Sequence, residues 1–229
     1  SAASGAMDLM QLLSRGYLLV VAGQQLHLHR QVGMGVRLEA SMKVNHAGRT
    51  SLTLSQAFRE GDDLVAQGQV AAVLLDPTGA PAPLPEELRA LAGAEPAPEL
   101  CPRLEAARPD ETWSWPTTVR PSDLDLYNHA NQSSFLAYIE DARILGVESG
   151  GLPGEAGGRL KKVNVGYRKQ VFLGDMLEVH VWVLGEGALG AEITRGGAVV
   201  SRARVEVAPS ASFPRAAEIK NNKSKSSGP

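Results

Sequence analysis

The sequence predicts an α+β fold made of two like modules in tandem, each an antiparallel sheet wrapped around a central helix, with the helix long only in the second module. Three observations predict it. Apolar and polar residues alternate with period two on both sides of a proline-rich stretch. The two alternating stretches align with each other. One segment alone carries a long helical spacing, and it falls in the second half.

Taken in order, Met7 to Arg15 is the helix candidate of the first module, with Leu9, Met10, Leu12 and Leu13, and no strand clearly precedes it. Val36, Leu38, Ala40, Met42 and Val44 then alternate with Arg37, Glu39, Ser41 and Lys43, which predicts a half-buried strand. Strands follow over Thr50 to Phe58 and Leu64 to Leu75. Ten of the fourteen prolines fall between Pro77 and Pro121, which excludes a continuous helix or a central strand there. This stretch is a connector. Beyond it, Phe135, Tyr138, Ile139, Ala142 and Leu145 recur at helical spacing from Gln132 to Leu145, Glu140, Asp141 and Arg143 point elsewhere, and Asn131 is the N-cap. Leu177, Val179, Val181 and Val183 repeat the period-two pattern, followed by strands over Ala188 to Thr194 and Ala198 to Val207. At an offset of 139, the fifteen positions from Arg30 to Val44 contain six identities, Gln31 with Gln170 and Leu38 with Leu177 among them, which reads as an internal repeat. The expected organisation is a shortened first module over 1–76, a connector over 77–116, a second module over 117–212 and a flexible tail over 213–229.

Composition narrows the partners. Hydrophobic residues are 43% and charged residues 21% of the chain, and no apolar run reaches the ~20 residues of a membrane span. A net charge of −2 lacks the positive excess of a dedicated nucleic-acid binder. The lone Cys101 forms no internal disulfide and suits a reducing compartment. The expectation is a soluble intracellular protein, in the cytoplasm or an organelle, with no nucleic-acid partner.

The chemistry concentrates in Arg120-Pro121-Ser122-Asp123-Leu124-Asp125-Leu126-Tyr127-Asn128-His129-Ala130-Asn131-Gln132, which runs directly into the helix. A carboxylate, an imidazole and the positive end of a helix would converge there, a set suited to adding water to an activated carbonyl. Bland roles compete: Asp and Asn before a helix are ordinary turn and capping residues, and His129 fits a packed core histidine. Asp123, Asp125 and His129 as metal ligands are rejected for want of a further His or Cys cluster. Ser133 and Ser134 lack a nucleophile elbow, and Cys101 sits in the connector. Lys161, Lys162, Arg168 and Lys169 could meet phosphates, although charges on an exposed strand face are the commoner explanation.

At Ser122-Asp123-Leu124-Asp125-Leu126-Tyr127-Asn128-His129-Ala130-Asn131-Gln132 the chain resembles the hotdog-fold thioesterases, whose 4-hydroxybenzoyl-CoA thioesterase and acyl-ACP thioesterase types carry Ser-Asp-x-Asp-x-x-x-His-x-Asn-Asn before the central helix. Tyr138 to Arg143, Tyr167-Arg168-Lys169-Gln170 and Gly174-Asp175 are similar to that pattern too, as is Leu75 to Leu88 at the end of the first copy. Two positions depart from the plant acyl-ACP type, which has Asn where Tyr127 stands and Glu where Gln170 stands. The resemblance implies a tandem double hotdog that hydrolyses a fatty or aromatic acyl-CoA thioester to free acid and thiol without a cofactor or metal. Acyl-ACP hydrolysis is the alternative, a non-catalytic acyl-thioester-binding protein the competing class, and a hotdog dehydratase a third reading. It implies Asp125 as general base or nucleophile, with His129 and Asn131 orienting water or thioester. Tyr127, Asn128, Gln132, Phe135, Tyr138, Ile139 and Gln170 would contact substrate, the acyl chain running in a tunnel between the central helix and the facing module. Partners are then an acyl-CoA or acyl-carrier-protein substrate and, because hotdog modules pair, a second tandem chain in a homodimer.

Overall fold

The computed structural model describes residues 14–93, 97–185 and 187–209. Along the chain the elements are β1 (Leu18–Leu28), β2 (Glu39–Ala47), β3 (Ser51–Glu60), β4 (Asp63–Leu75), α1 (Glu86–Ala90), β5 (Trp113–Thr118), α2 (Gln132–Glu148), β6 (Leu160–Tyr167), β7 (Met176–Gly185), β8 (Ala188–Arg195) and β9 (Ala198–Val207). Among the described residues they form antiparallel sheet with one long helix, a hotdog-like α+β arrangement. The chain divides into two compact units, residues 1–103 with 162–168 and residues 104–161 with 169–229.

In the first unit the strand order is β2-β3-β4-β1-β6. The meander β2-β3-β4 is the one the sequence predicts, but β1 is a strand the pattern does not reveal. It pairs with β4 on one side and β6 on the other, with a register shift between Val21 and Gly23. Leu18-Leu19-Val20-Val21 gives no period-two signal because all four are apolar, and all four are half-buried, so both faces of this stretch are partly covered. The expected half-buried strand Val36 to Val44 is corrected in two ways. The strand starts at Glu39 and ends at Ala47, and its outer half is exposed: Met42 is 66% accessible. As the edge of the sheet, β2 has a strand neighbour on one side among the described residues. Leu52, Ala72, Leu74, Ala82 and Leu84 make the buried cluster of this unit, with Tyr17, Leu19 and Leu54 against it. Met7 to Leu13 of the expected first helix lie outside the described residues, as does the tail over 213–229.

A polar row crosses the other face of this sheet in register, Ser55 beside Gln69, Gln69 beside Gln25 and Gln25 beside Asn164. It grips the connector. Gln25 Oε1 accepts from the Leu100 and Cys101 amides at 2.8 and 3.1 Å, Asn164 Nδ2 donates to the Cys101 carbonyl at 2.7 Å, and Gln69 Nε2 donates to the Pro98 carbonyl. Backbone groups that leave water are thereby partnered by side-chain amides.

In the second unit the strands run β5-β7-β8-β9. Leu177, Val179 and Val181 of β7, Ala191 and Ile193 of β8 and Ala203 and Val205 of β9 are buried, and α2 packs on β5 and β7. Fully burying a Val or Ile side chain contributes about 1.5–3 kcal/mol, so this layer anchors the helix. Trp113 adds a directional tie, donating from Nε1 to the Ala142 carbonyl at 2.8 Å. Strand β5 lies inside the proline-rich region, with Pro116 opposite Glu178. The proline rule excludes a central strand, and β5 is an edge strand, where a missing N–H can be tolerated.

The helix is longer than the pattern predicts and reaches Glu148. Two of its side chains reverse their expected places: Leu145 is 37% exposed and Arg143 only 3%. Arg143 is buried because it donates to the Ala156 and Gly158 carbonyls and pairs with Glu140 at 2.6 Å, fixing the segment that follows the helix. The β8–β9 turn is Gly196-Gly197 with φ of 56° and 79°, the positive values a two-residue type I′ hairpin requires. Gly190 is equally constrained, since a Cβ there would stand 2.3 Å from the Trp182 ring.

A polar row also crosses this sheet, Ser114 beside His180, His180 beside Glu192 and Glu192 beside Arg202. The connector covers it: Arg108 pairs with Glu192 at 3.2 Å, the Ala106 carbonyl accepts from Arg202, and Thr112 Oγ1 lies 3.5 Å from His180 Nδ1.

Candidate active site

The polar run before α2 folds into a closed loop in the second unit. Pro121–Asp123 is a single 3-10 turn with proline in its first turn, where the missing N–H costs nothing. Asp125 N donates to the His129 carbonyl at 3.0 Å and Asn128 N to the Asp125 carbonyl at 3.1 Å, while Leu124 and Ala130 form an antiparallel bridge. Asn128 has φ of 59°, a left-handed conformation that asparagine tolerates better than most residues. The loop closes where Asn131 N donates to the Asp123 carbonyl at 2.8 Å.

This geometry brings Asp125 and His129 together. Asp125 Oδ2 is 3.3 Å from His129 Nδ1, and both side chains are 19% exposed. The other carboxylate oxygen accepts from the Tyr127 amide at 2.8 Å. Asp125 therefore holds the turn and faces the imidazole at the same time. The Tyr127 ring stacks on His129 with centroids 5.9 Å apart. His129 also bridges to Phe172, and Ala130 N donates to the Val171 carbonyl at 2.9 Å, which sets the loop against the segment between β6 and β7. Asp175 braces that segment, accepting from the Phe172 amide at 2.8 Å and from Arg195 at 2.5 Å. These bonds hold its carboxyl below the usual carboxylate range.

Asn131 is the N-cap of α2, its Oδ1 accepting from Ser133 N and Ser133 Oγ at 2.9 Å each, and the Asn131 carbonyl accepts from Ser134 N at 2.9 Å. Two amides at the helix start are thus committed to the cap. Gln132 is the first helical residue. Phe135, Tyr138 and Ile139 are buried, at 3%, 1% and 1% exposure, and Gln170 is exposed just ahead of Val171.

A group absent from the candidate set is Asp123, 5% exposed. Its carboxylate accepts from Arg120 N at 2.7 Å, from Arg120 Nε and Nη2 at 3.2 and 3.1 Å, and from Tyr138 Oη at 2.7 Å. Burial alone would raise the Asp123 carboxyl, but the bonds from Arg120 and Tyr138 outweigh it and keep the group below the ordinary carboxylate range. The Tyr138 hydroxyl is pushed the other way, upward, by burial and by the adjacent carboxylate. The sequence signal for Asp123 is its place three residues after Arg120 across Pro121, the spacing of a capping box.

Among the described residues no group of three or more His, Cys, Asp or Glu is arranged to hold a metal ion, and no helix is long and apolar enough to cross a membrane.

Comparison with known proteins gives this geometry a family context. Residues 106–206 match the acyl-ACP thioesterase C-terminal domain, and residues 2–67 match the thioesterase superfamily. Among curated proteins none matches. The solved structure of a 12:0-ACP thioesterase from Umbellularia californica superposes with a TM-score of 0.74 at 17% identity, over 88% of this chain and 79% of that one. An acyl-ACP thioesterase from Bacteroides thetaiotaomicron also gives 0.74 at 17% identity, over 90% and 83%. A MaoC-like dehydratase from Phytophthora capsici reaches 0.55 at 16% identity, over 84% and 72%. The solved structures give the chain the fold of the acyl-ACP thioesterases, and with a thioesterase-domain match over each end the protein is a hydrolase of acyl thioesters.

Proposed function

We propose that hydrolysis takes place at the Asp125–His129 pair and that the substrate is a fatty acyl thioester. The observation that carries the reading is the 3.3 Å approach of the carboxylate to the imidazole, one turn ahead of the positive end of a 17-residue helix. In this reading Asp125 takes a proton from water or attacks the thioester carbon, and His129 and Asn131 hold the reacting groups in place. The positive end of α2 favours the developing oxyanion. One observation favours a second assignment of the base: Asp125 meets His129 at Nδ1, which leaves Nε2 on the far side of the ring, as in a carboxylate-oriented general base.

The leaving thiol is proposed to be that of an acyl carrier protein. Support comes from the match of the acyl-ACP thioesterase domain to 106–206, the segment that contains the pair. A coenzyme A thioester is the second reading, and the tandem double-hotdog organisation is proposed with both. Strands β2 and β7 each open a three-stranded meander in their own unit, in keeping with the repeat at offset 139.

The test is thiol release from matched acyl-CoA and acyl-carrier-protein thioesters. Loss of a positioned base costs about 10²–10⁴-fold, so Asp125→Asn should remove most turnover while the protein stays folded. His129→Gln separates the two assignments: a loss as deep as that of Asp125→Asn makes the imidazole the base, and a shallow one leaves it a positioning group. Unchanged kcat in Asp125→Asn sinks the site. Equal turnover of both thioesters removes the preference for the carrier protein.

A further inference from the structure

The geometry points to Asp123 as a positioning residue for hydrolysis: its carboxylate pins the closed loop that carries Asp125 and His129 onto the body of helix α2. This rests on reading Asp125 and His129 as the reacting pair.

Asp123 uses both ends of its structure. Its main-chain oxygen accepts from Asn131 N at 2.8 Å and from Ser134 Oγ at 3.1 Å. The segment from Leu124 to Ala130 therefore leaves Asp123 and returns to it within one hydrogen bond. Its carboxylate, buried beside the helix, accepts from Tyr138 Oη and from three groups of Arg120. A residue that only capped the 3-10 turn would need the Arg120 amide alone. The Tyr138 bond does something different: it ties the turn to α2 about two helical turns beyond the N-cap. With the cap bond at Asn131, the loop is held to the helix at two heights, and rotation of the loop about its own base is blocked.

Charge strengthens the tie. Hydrogen bonds to an ionised acceptor are about twice as strong as neutral ones, and the Arg120 and Tyr138 bonds keep the carboxyl ionised against its burial. Asp123 touches neither reacting atoms nor, in this reading, substrate. Its effect is on the placement of Asp125 relative to His129, where an error of about 1 Å can cost up to 10²-fold in rate. A positioning role therefore lowers kcat and leaves KM nearly unchanged.

The experiment compares the protein with its Asp123→Asn, Tyr138→Phe, double, Asp125→Asn and Ile193→Val variants for kcat, KM and melting temperature. Ile193 is fully buried in β8 and serves as a destabilised control. Asp123→Asn should lower kcat about tenfold or more with KM within about twofold. Tyr138→Phe should lose about threefold, and the double variant should be no slower than Asp123→Asn, because both act through one bond network. Ile193→Val should melt earlier yet keep its turnover. The proposal is overturned if Asp123→Asn retains wild-type kcat, or if its loss is matched by the control at equal loss of melting temperature. If Asp123→Asn does not fold, Tyr138→Phe decides: unchanged kcat overturns the proposal and a selective loss of kcat supports it. Asp125→Asn keeps the two failures apart. Wild-type turnover in that variant defeats the reacting pair itself, whereas a dead Asp125→Asn beside a fully active Asp123→Asn defeats the positioning role alone.

Discussion

Strands β2 and β7 share a sequence pattern and a place at the head of a meander, yet they live in different surroundings. At the repeat offset, Met42 of β2 corresponds to Val181 of β7, and Ser41 corresponds to His180. Met42 is 66% exposed and Val181 1%. The difference lies in their neighbours. Strand β7 has β5 on one edge, β8 on the other, α2 on one face and the connector on the other. Strand β2 has β3 alone as a strand partner among the described residues, with Gly93 donating to the Val44 carbonyl at 3.0 Å near its far end. Alternation marks which residues could share a buried face; the elements packed on the strand decide whether that face is buried.

That contrast can be broken by matched substitutions. The largest effect is expected for Val181→Ala, which removes two buried methyl groups and leaves a cavity against α2, at a cost of about 2 kcal/mol. Chemical denaturation should show it as a lower midpoint with an unchanged slope. A cost below that of Met42→Ala would overturn the ranking.

A second, smaller difference concerns acid. His180 is held below its ordinary pKa, first by burial and then by Arg108, against the opposing pull of Glu178 and Glu192. Thr112 and Thr194 lie at hydrogen-bonding range of its two ring nitrogens. The unfolded chain therefore binds a proton at this residue before the folded one does. Its contribution is intact above the unfolded value of about 6.5 and is lost as pH falls from there toward the folded value. Melting temperature should fall over that interval in the wild type and fall less in His180→Gln; parallel curves would remove His180 as the cause. The smallest effect belongs to Met42→Ala, expected within about 0.5 kcal/mol of wild type because an exposed side chain loses little on truncation. A loss of 2 kcal/mol or more there would mean that β2 is covered in solution.

The polar loop ahead of α2 was the most legible part of the sequence because its contacts are local. Asp125 and His129 are four residues apart and do meet, and Asn131 caps the helix that the spacing of Phe135, Tyr138 and Ile139 predicts. What the sequence concealed depends on partners far along the chain. Strand β1 reads ambiguously because its pairing with β4 and β6 supplies a context that composition does not carry. Strand β5 is hidden by proline statistics that hold for sheet interiors and not for edges. Asp123 and Tyr138 are fifteen residues apart, and the tyrosine reads as one more apolar position on the helix face. Arg143 reads as solvated because nothing in its own helix announces the Ala156 and Gly158 carbonyls.

The closed loop between Asp123 and Asn131 has a further consequence for how the protein assembles. Bringing the ends of a segment this short together costs little chain entropy, since the closure term grows with the logarithm of loop length. Strand β5 must instead find β7 across some sixty residues, with Trp113 opposite Val181. On contact-order grounds the loop and the first turns of α2 can take shape before the sheet that supports them is complete. Mutations at Asp123 should accordingly slow folding, whereas mutations along the β5–β7 seam should chiefly hasten unfolding.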